Sequence, residues 1–269
     1  MRVVGIDTST FTGGVALVDD GQIIAEYSAH VTRRNSESLM GVLDDMLQDL
    51  DWTSRDLHGI AVAIGPGSFT GTRIGVTMAK VLGYSLDIPI GPVVTLDAIA
   101  ENIAYGRSLV CPVICARRDL VYTATYKVDN PGPQRLTEYV VRTIGEVIDD
   151  IKGDIEGQGC FNSKEYDKVL FLGDGAIKHR AVIEEKLPRH AVIGPPWYIG
   201  PRPGVVAIMG ERQIAEGNLA DARNLVPFYM GKSSAEKAQA ERGLEERAKD
   251  NGRGNQPDEK GGSRSGHRD

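Results

Sequence analysis

The order of strand and helix patterns in the first 105 residues is the feature that most constrains how this chain can fold. Three short strand patterns open the sequence, at residues 3–7, 14–18 and 22–27. A helical pattern at 36–50, a continuous apolar run at 60–64 and a second helix at 72–85 follow. An apolar run of that length is typical of a strand buried on both faces. The order β-β-β-α-β-α therefore predicts a mixed sheet covered by helices, and it excludes a (β/α)8 barrel.

The rest of the chain repeats this order with more proline and glycine. The strand patterns lie at 109–116, 120–126 and 169–172, and the helical patterns lie at 143–151, 181–186 and 204–216. Two halves of similar order predict a duplicated α/β fold around a cleft. We expect one subdomain over 1–105 and a second over 106–232, with helix 204–216 packing back on the first.

Residues 233–269 differ from both halves in composition. Leu244 is the one large aliphatic side chain in this stretch, which is otherwise rich in glycine and charged residues. Such a segment buries too little apolar surface to offset its ordering entropy, so we expect a largely disordered tail.

Composition excludes several classes of protein. No run of 18 apolar residues occurs, and three cysteines in 269 residues are too few for a disulfide framework. The start of the sequence has no signal-peptide pattern, so we expect a cytoplasmic protein without a membrane span. A net charge of −6 argues against strong unaided binding to nucleic acid, which needs lysine and arginine to neutralise phosphates.

Two motifs are candidates for binding phosphate. The first, Asp7-Thr8-Ser9-Thr10, ends a strand and leads into a glycine hairpin. Its hydroxyl and backbone N–H groups suit a nucleotide phosphate, with Asp7 near a metal ion, but the same residues also suit a polar turn that satisfies its own backbone.

The second motif is the glycine-rich stretch 65–75, which precedes the second helix. It does not contain the Gly-Lys-Ser/Thr of a Walker A loop, and Arg73 is its one basic residue. It fits either an anion site at a helix N-terminus or close packing of that helix against another backbone. The spacing of Gly71 and Gly75, one helical turn apart, favours packing. The candidate phosphate residues of this motif are Gly65, Gly67, Ser68, Thr70 and Gly71.

The whole 65–75 motif resembles the TsaB family, also called YeaZ, which acts in synthesis of tRNA threonylcarbamoyladenosine. The resemblance extends over residues 1 to about 240. It includes three further stretches: 116–122 (Ala-Arg-Arg-Asp-Leu-Val-Tyr), 172–176 (Leu-Gly-Asp-Gly-Ala) and 227–230 (Pro-Phe-Tyr-Met). It implies the fold of actin, Hsp70 and sugar kinases (the ASKHA fold), with two subdomains that each contain a mixed sheet flanked by helices.

The resemblance also implies a function. It predicts a non-catalytic subunit that binds and activates a TsaD-type catalytic subunit, which threonylcarbamoylates N6 of the adenosine next to the anticodon in tRNAs reading ANN codons. A TsaE-type ATPase is the expected third member, tRNA contacts the chain through the complex, and a homodimer is left open. We expect no cofactor in the isolated chain, with ATP or ADP and metal on the partner subunits.

Four positions depart from related sequences. Asn35 and Cys115 replace a histidine and an aspartate that are usual in the family. The catalytic TsaD relatives carry a metal-binding histidine pair, and side by side those places fall on Thr95 and Ile99. Isoleucine cannot ligate a metal, so we expect no metal site and no intrinsic catalysis.

Two other functions remain as alternatives. A nucleotide-binding ATPase or phosphotransferase of the actin-like fold would use residues 8–10 and the 65–75 loop. A metallopeptidase, an older label for this superfamily, conflicts with the missing metal ligands.

The two helical patterns of the first half carry more apolar residues than one buried face needs, so we expect them to form the partner surface. The candidate partner-binding residues are Glu37, Leu39, Met40, Leu43, Met46, Leu47, Arg73, Ile74, Val76 and Met78.

Overall fold

The computed structural model describes residues 1–30, 39–103, 106–129, 132–156, 166 and 168–230. The predicted tail, Asn35, the predicted Ser36 start of the first helix and the candidate Glu37 lie outside the described residues. Among those that are described, no helix has the length and apolar character needed to cross a membrane.

The described residues of the first half form five strands and three α-helices. In chain order they are β1 (Arg2–Asp7), β2 (Thr12–Asp19), β3 (Gln22–His30), α1 (Leu39–Asp49), β4 (Gly59–Ala63), α2 (Phe69–Leu86), β5 (Ile90–Val93) and α3 (Thr95–Glu101). The strands form one sheet in the order β3-β2-β1-β4-β5. Strands β1, β2 and β3 pair antiparallel, and β4 and β5 extend the sheet in parallel to β1.

The second half repeats this topology. Its elements are β6 (Ser108–Cys115), β7 (Leu120–Thr123), β8 (Tyr126–Val128), β9 (Pro133–Arg135), β10 (Val140–Thr143), α4 (Ile144–Ile155), β11 (Val169–Leu172), α5 (Asp174–Lys178), α6 (Arg180–Lys186), β12 (Ala191–Ile193) and α7 (Pro203–Ala215). The main order, β10-β7-β6-β11-β12, copies the first sheet strand for strand, with β8 and β9 added beside β6. The expected duplication is therefore present in the mixed sheets.

Each sheet is covered by helices from both halves. On one face of the first sheet, α1 and α2 pack their buried side chains against β1, β2 and β4. On the other face, Val206 of α7 packs with Val3, Ala61 and Val93. Conversely, helix α3 belongs to the first half in sequence but packs Leu96 and Ile99 against the second sheet. The exchange of α3 and α7 joins the two sheets through shared apolar cores.

Local sequence explains where the main helices begin and where α2 ends. The Ser68 side chain accepts a hydrogen bond from the Gly71 N–H at 3.1 Å, which caps α2. Thr143 and Glu146 form a capping box at the start of α4. Asp87 ends α2 in the left-handed conformation.

Candidate functional site

The polar turn after β1 is buried and satisfies its own backbone. Asp7, Thr8 and Ser9 are fully inaccessible to solvent, and Thr10 is nearly so. The Asp7 Oδ1 atom accepts hydrogen bonds from the Ser9 backbone N–H at 2.9 Å and from the Ser9 hydroxyl at 2.6 Å. The aspartate therefore shapes the turn itself, as in an Asx turn.

The glycine-rich loop before α2 lies directly against this turn. A Cβ atom on Gly67 or Gly71 would lie 2.0 Å from the carbonyl oxygen of Ser9 or Thr8, respectively, so neither position accommodates a side chain. The Ser68 N–H donates to the Ser9 carbonyl at 2.7 Å, and the Thr8 hydroxyl donates to the Gly71 carbonyl at 2.7 Å. The two candidate phosphate motifs thus bind each other, and these glycines serve close packing.

The loop before α7 covers the other side of the turn. A Cβ atom on Gly200 would lie 2.4 Å from the Thr10 hydroxyl oxygen, and the Asn102 side chain donates to the Gly200 carbonyl at 3.2 Å. The Thr10 hydroxyl itself donates to the Thr12 carbonyl at 2.9 Å. A nucleotide phosphate would have to displace these contacts to reach Thr8, Ser9 or Thr10.

Burial has an electrostatic effect on Asp7. Loss of solvent raises the pKa of Asp7 from 3.8 to about 7, although the hydrogen bonds from Ser9 partly oppose the rise. The second carboxylate oxygen, Oδ2, has no hydrogen-bond partner among the described residues. Burial of the Asp7 carboxyl therefore favours its protonated form.

Two other positions singled out in the sequence are also internal. Thr95 and Ile99, at the places of the TsaD histidine pair, are fully buried in α3.

The cysteine at position 115 is not reactive as a thiolate. Burial raises the pKa of the Cys115 thiol to about 11, so the thiol stays protonated at neutral pH. Within the described ranges, no group of three histidine, cysteine or acidic residues is arranged to hold a metal ion.

The structure corrects four of the ten candidate partner-binding residues. These four face the core of the first half, where their side chains are at most 5% exposed, and are not available to a partner: Leu39, Leu43, Leu47 and Val76. They are buried because α1 and α2 lie on the same face of the sheet and contribute one apolar stripe each. The substitution Val76→Glu would therefore place a charge in the core and disturb folding, so it could not test binding to a partner. Met78 is 8% exposed and lies at the edge of this core, where it also lines the groove described next.

An open apolar groove, which we call the α1–α2 groove, runs along the outer face of α2 and is bordered by Met40 of α1. Its volume is about 510 Å³. Met40, Phe69 and Val81 are 44%, 46% and 55% exposed, so three large apolar side chains are exposed together at this groove. The residues that line it are Met40, Phe69, Thr70, Arg73, Ile74, Thr77, Met78 and Val81.

The sequence interpretation missed two aromatic residues at this groove, Phe69 and Tyr229. Phe69 is four residues before Arg73. Residues 69, 73, 77 and 81 are spaced by four and lie along one face of α2, and this spacing could have identified Phe69. Tyr229 comes from the C-terminal segment, which is anchored by the Phe228 N–H donating to the Ile64 carbonyl at 2.7 Å. No local pattern connects a residue at 229 with α2.

Comparison with known proteins agrees with the duplicated topology. A family model described as "TsaD: tRNA N6-adenosine threonylcarbamoyltransferase" matches residues 22–239. The tRNA threonylcarbamoyladenosine biosynthesis protein TsaB of Bacillus subtilis is 38% identical over 237 residues, covering 88% of this chain and 96% of the relative. TsaB of Escherichia coli is 34% identical over 134 residues, or 49% of this chain and 58% of the relative. The solved structure of YeaZ from Pseudomonas aeruginosa superposes with a TM-score of 0.69 at 21% identity, covering 85% of this chain and 99% of that one.

The repeated sheets with exchanged helices define the actin-like, sugar-kinase-like (ASKHA) class of fold. Within that class, the extent and identity of the Bacillus match show the family. The chain belongs to the TsaB (YeaZ) family of tRNA threonylcarbamoyladenosine biosynthesis proteins.

Proposed function

We propose that this chain is a non-catalytic subunit in the threonylcarbamoylation of tRNA. It binds a TsaD-type catalytic subunit and activates it toward N6 of the adenosine next to the anticodon in tRNAs reading ANN codons. Family membership supports the pathway, because the TsaB relatives are named for biosynthesis of this modified nucleoside. The subunit role rests on what the fold has buried and what it has left exposed.

One contrast carries the proposal. The turn that would bind a nucleotide phosphate is buried under its own glycine loop, whereas an apolar groove between α1 and α2 is open. A catalytic site needs reactive groups that a substrate can reach, and Asp7, Thr8 and Ser9 cannot be reached in this arrangement. The exposed groove offers apolar side chains and one arginine but no acidic or nucleophilic cluster among the described residues, which suits contact with a protein surface better than catalysis.

The proposal assigns the remaining chemistry to other subunits. ATP or ADP and metal belong to the TsaD-type subunit and to a TsaE-type ATPase, and tRNA binds the assembled complex. The net charge of −6 fits this division, because an acidic chain attracts phosphates poorly by itself. We place the α1–α2 groove at the contact with the catalytic subunit.

A charged residue in the groove should abolish this contact. Val81→Glu introduces a carboxylate at a position that is 55% exposed, so the isolated chain should fold normally. Burying that charge against an apolar partner surface should weaken binding by at least about 30-fold, the effect of losing an interface hot spot. Calorimetric titration with the organism's TsaD-type subunit measures the dissociation constant.

Val182→Glu is the matched control, because Val182 is an exposed valine on α6, away from the groove. It should bind the partner as the wild type does. Equal affinity of the wild type and Val81→Glu would remove the groove from the interface. Tight binding of Mg-ATP by the isolated wild-type chain would instead favour a nucleotide-dependent enzyme over the proposed subunit.

A further inference from the structure

Arg73 is held in a fixed position at the α1–α2 groove by two aromatic residues. Its guanidinium carbon lies 3.8 Å from the centre of the Phe69 ring and 5.9 Å from that of Tyr229. Its Nε–H donates to the Tyr229 hydroxyl at 2.9 Å, and the two rings lie 5.5 Å apart. Stacking and this hydrogen bond orient the plane of the guanidinium before any partner arrives.

This guanidinium has no acidic partner within the described part of the chain. Its contacts there are with the two aromatic rings and the Tyr229 hydroxyl, and none involves an aspartate or glutamate. The hydrogen bond uses Nε, so the two terminal nitrogens remain for other acceptors. Together they present the geometry that binds a carboxylate through two parallel hydrogen bonds.

The surroundings of Arg73 limit what can cover it. Among the residues that the structure describes, every other one that lines the groove is uncharged. A protein surface that closes over the groove removes Arg73 from water, and a buried guanidinium without a counter-charge is strongly unfavourable. Nucleic acid is a poor fit, because a phosphate backbone requires several cations and gains nothing from an apolar groove.

We infer that Arg73 is the specificity-determining residue of the groove, and that it binds an aspartate or glutamate of the TsaD-type subunit. The partner surface is then an apolar helix face with one carboxylate opposite Arg73. This inference rests on the proposed function, since it names the chemistry of the same contact. A surface that is apolar but lacks the carboxylate is rejected, because it would bury Arg73 unpaired.

Charge reversal with rescue tests the inference. Arg73→Glu should weaken binding of the TsaD-type subunit by about 100-fold, and Arg73→Lys should weaken it less, because it keeps the charge but not the paired hydrogen bonds. Arg55→Glu, at an exposed arginine outside the groove, is the control and should bind normally. One Asp→Lys or Glu→Lys substitution on the partner's contact face should restore binding of Arg73→Glu.

The outcomes separate this inference from the proposed function. If the wild type binds the catalytic subunit and Arg73→Glu binds it within about threefold, Arg73 has no such role while the proposed function stands. Failure of every partner charge reversal to rescue Arg73→Glu also overturns the inference. If the wild type does not bind at all, the proposed function itself is wrong. Sedimentation of each variant alone shows whether Arg73 instead pairs with a second copy of this chain, which would equally overturn the inference.

Discussion

Replacing Asp7 with asparagine should remove a pH dependence of about 4 kcal/mol from the free energy of unfolding. The burial that raises the pKa of Asp7 from 3.8 to about 7 makes the folded state hold the proton more tightly than the unfolded state does. Each pKa unit corresponds to about 1.4 kcal/mol, so a rise of roughly three units gives this magnitude. Asparagine retains the shape and the acceptor for Ser9 but cannot ionise.

The sign of the effect follows from where the proton is bound. Well below pH 4, Asp7 is protonated in both the folded and the unfolded state, so it does not change the free energy of unfolding. Between about pH 4 and pH 7 the folded state keeps its proton while the unfolded state loses it, so wild-type stability falls as the pH rises. Above pH 7 the folded chain contains a buried carboxylate, and the stability of Asp7→Asn relative to the wild type is greatest.

Urea unfolding of both proteins at several values between pH 4 and pH 8 measures this difference. The free energy of unfolding of Asp7→Asn minus that of the wild type should rise by about 4 kcal/mol across the range. Asp45→Asn, at an exposed position of α1, is the matched control and should not reproduce this rise. A difference that is flat with pH would mean that Asp7 is not isolated from solvent.

Replacing Gly71 with alanine should destabilise the protein by about 3 kcal/mol, the upper end of the usual cost of overpacking. The added methyl group would lie 2.0 Å from the Thr8 carbonyl oxygen, so either α2 or the β1–β2 turn has to move. That movement would also break the 2.7 Å hydrogen bond between the Thr8 hydroxyl and the Gly71 carbonyl.

Gly153→Ala is the matched control, because Gly153 lies in α4 and a Cβ atom added there would meet no neighbouring atom within 4 Å. Alanine has a higher helix propensity than glycine, so the free energy of unfolding of this variant should rise by about 0.5–1 kcal/mol. Thermal unfolding of both variants gives the comparison. A Gly71→Ala protein as stable as Gly153→Ala would contradict the packing of the two motifs against each other.

The repeated strand order was predictable because regular elements leave periodic patterns. The strands at 3–7 and 169–172 and the helix at 204–216 lie where hydrophobic periodicity indicates them. Strands β5, β9 and β12 are three or four residues long, and two of them contain proline, so they leave no such pattern. The exchange of α3 and α7 between sheets is a long-range arrangement that local sequence does not encode.

The two helices that border the α1–α2 groove were predictable from the sequence, but their exposed residues were not. The apolar positions of the 36–50 pattern identify a helix with a wide apolar surface, but only the placement of the sheet and α2 separates buried Leu43 from exposed Met40. The role of Arg73 depends on Tyr229, which is 156 residues away and reaches it through tertiary folding. Likewise, both interpretations of the glycine motif fitted its spacing, and the contact with Thr8 distinguishes them.

Reconstitution of tRNA threonylcarbamoylation tests the central claim most directly. The assay contains tRNA, the organism's TsaD-type and TsaE-type subunits and the threonylcarbamoyl donor, with or without this chain. The proposed role predicts modified adenosine only when this chain and the catalytic subunit are both present, and none from this chain alone. Full activity without this chain, or transfer by this chain alone that Asp7→Ala abolishes, would contradict it.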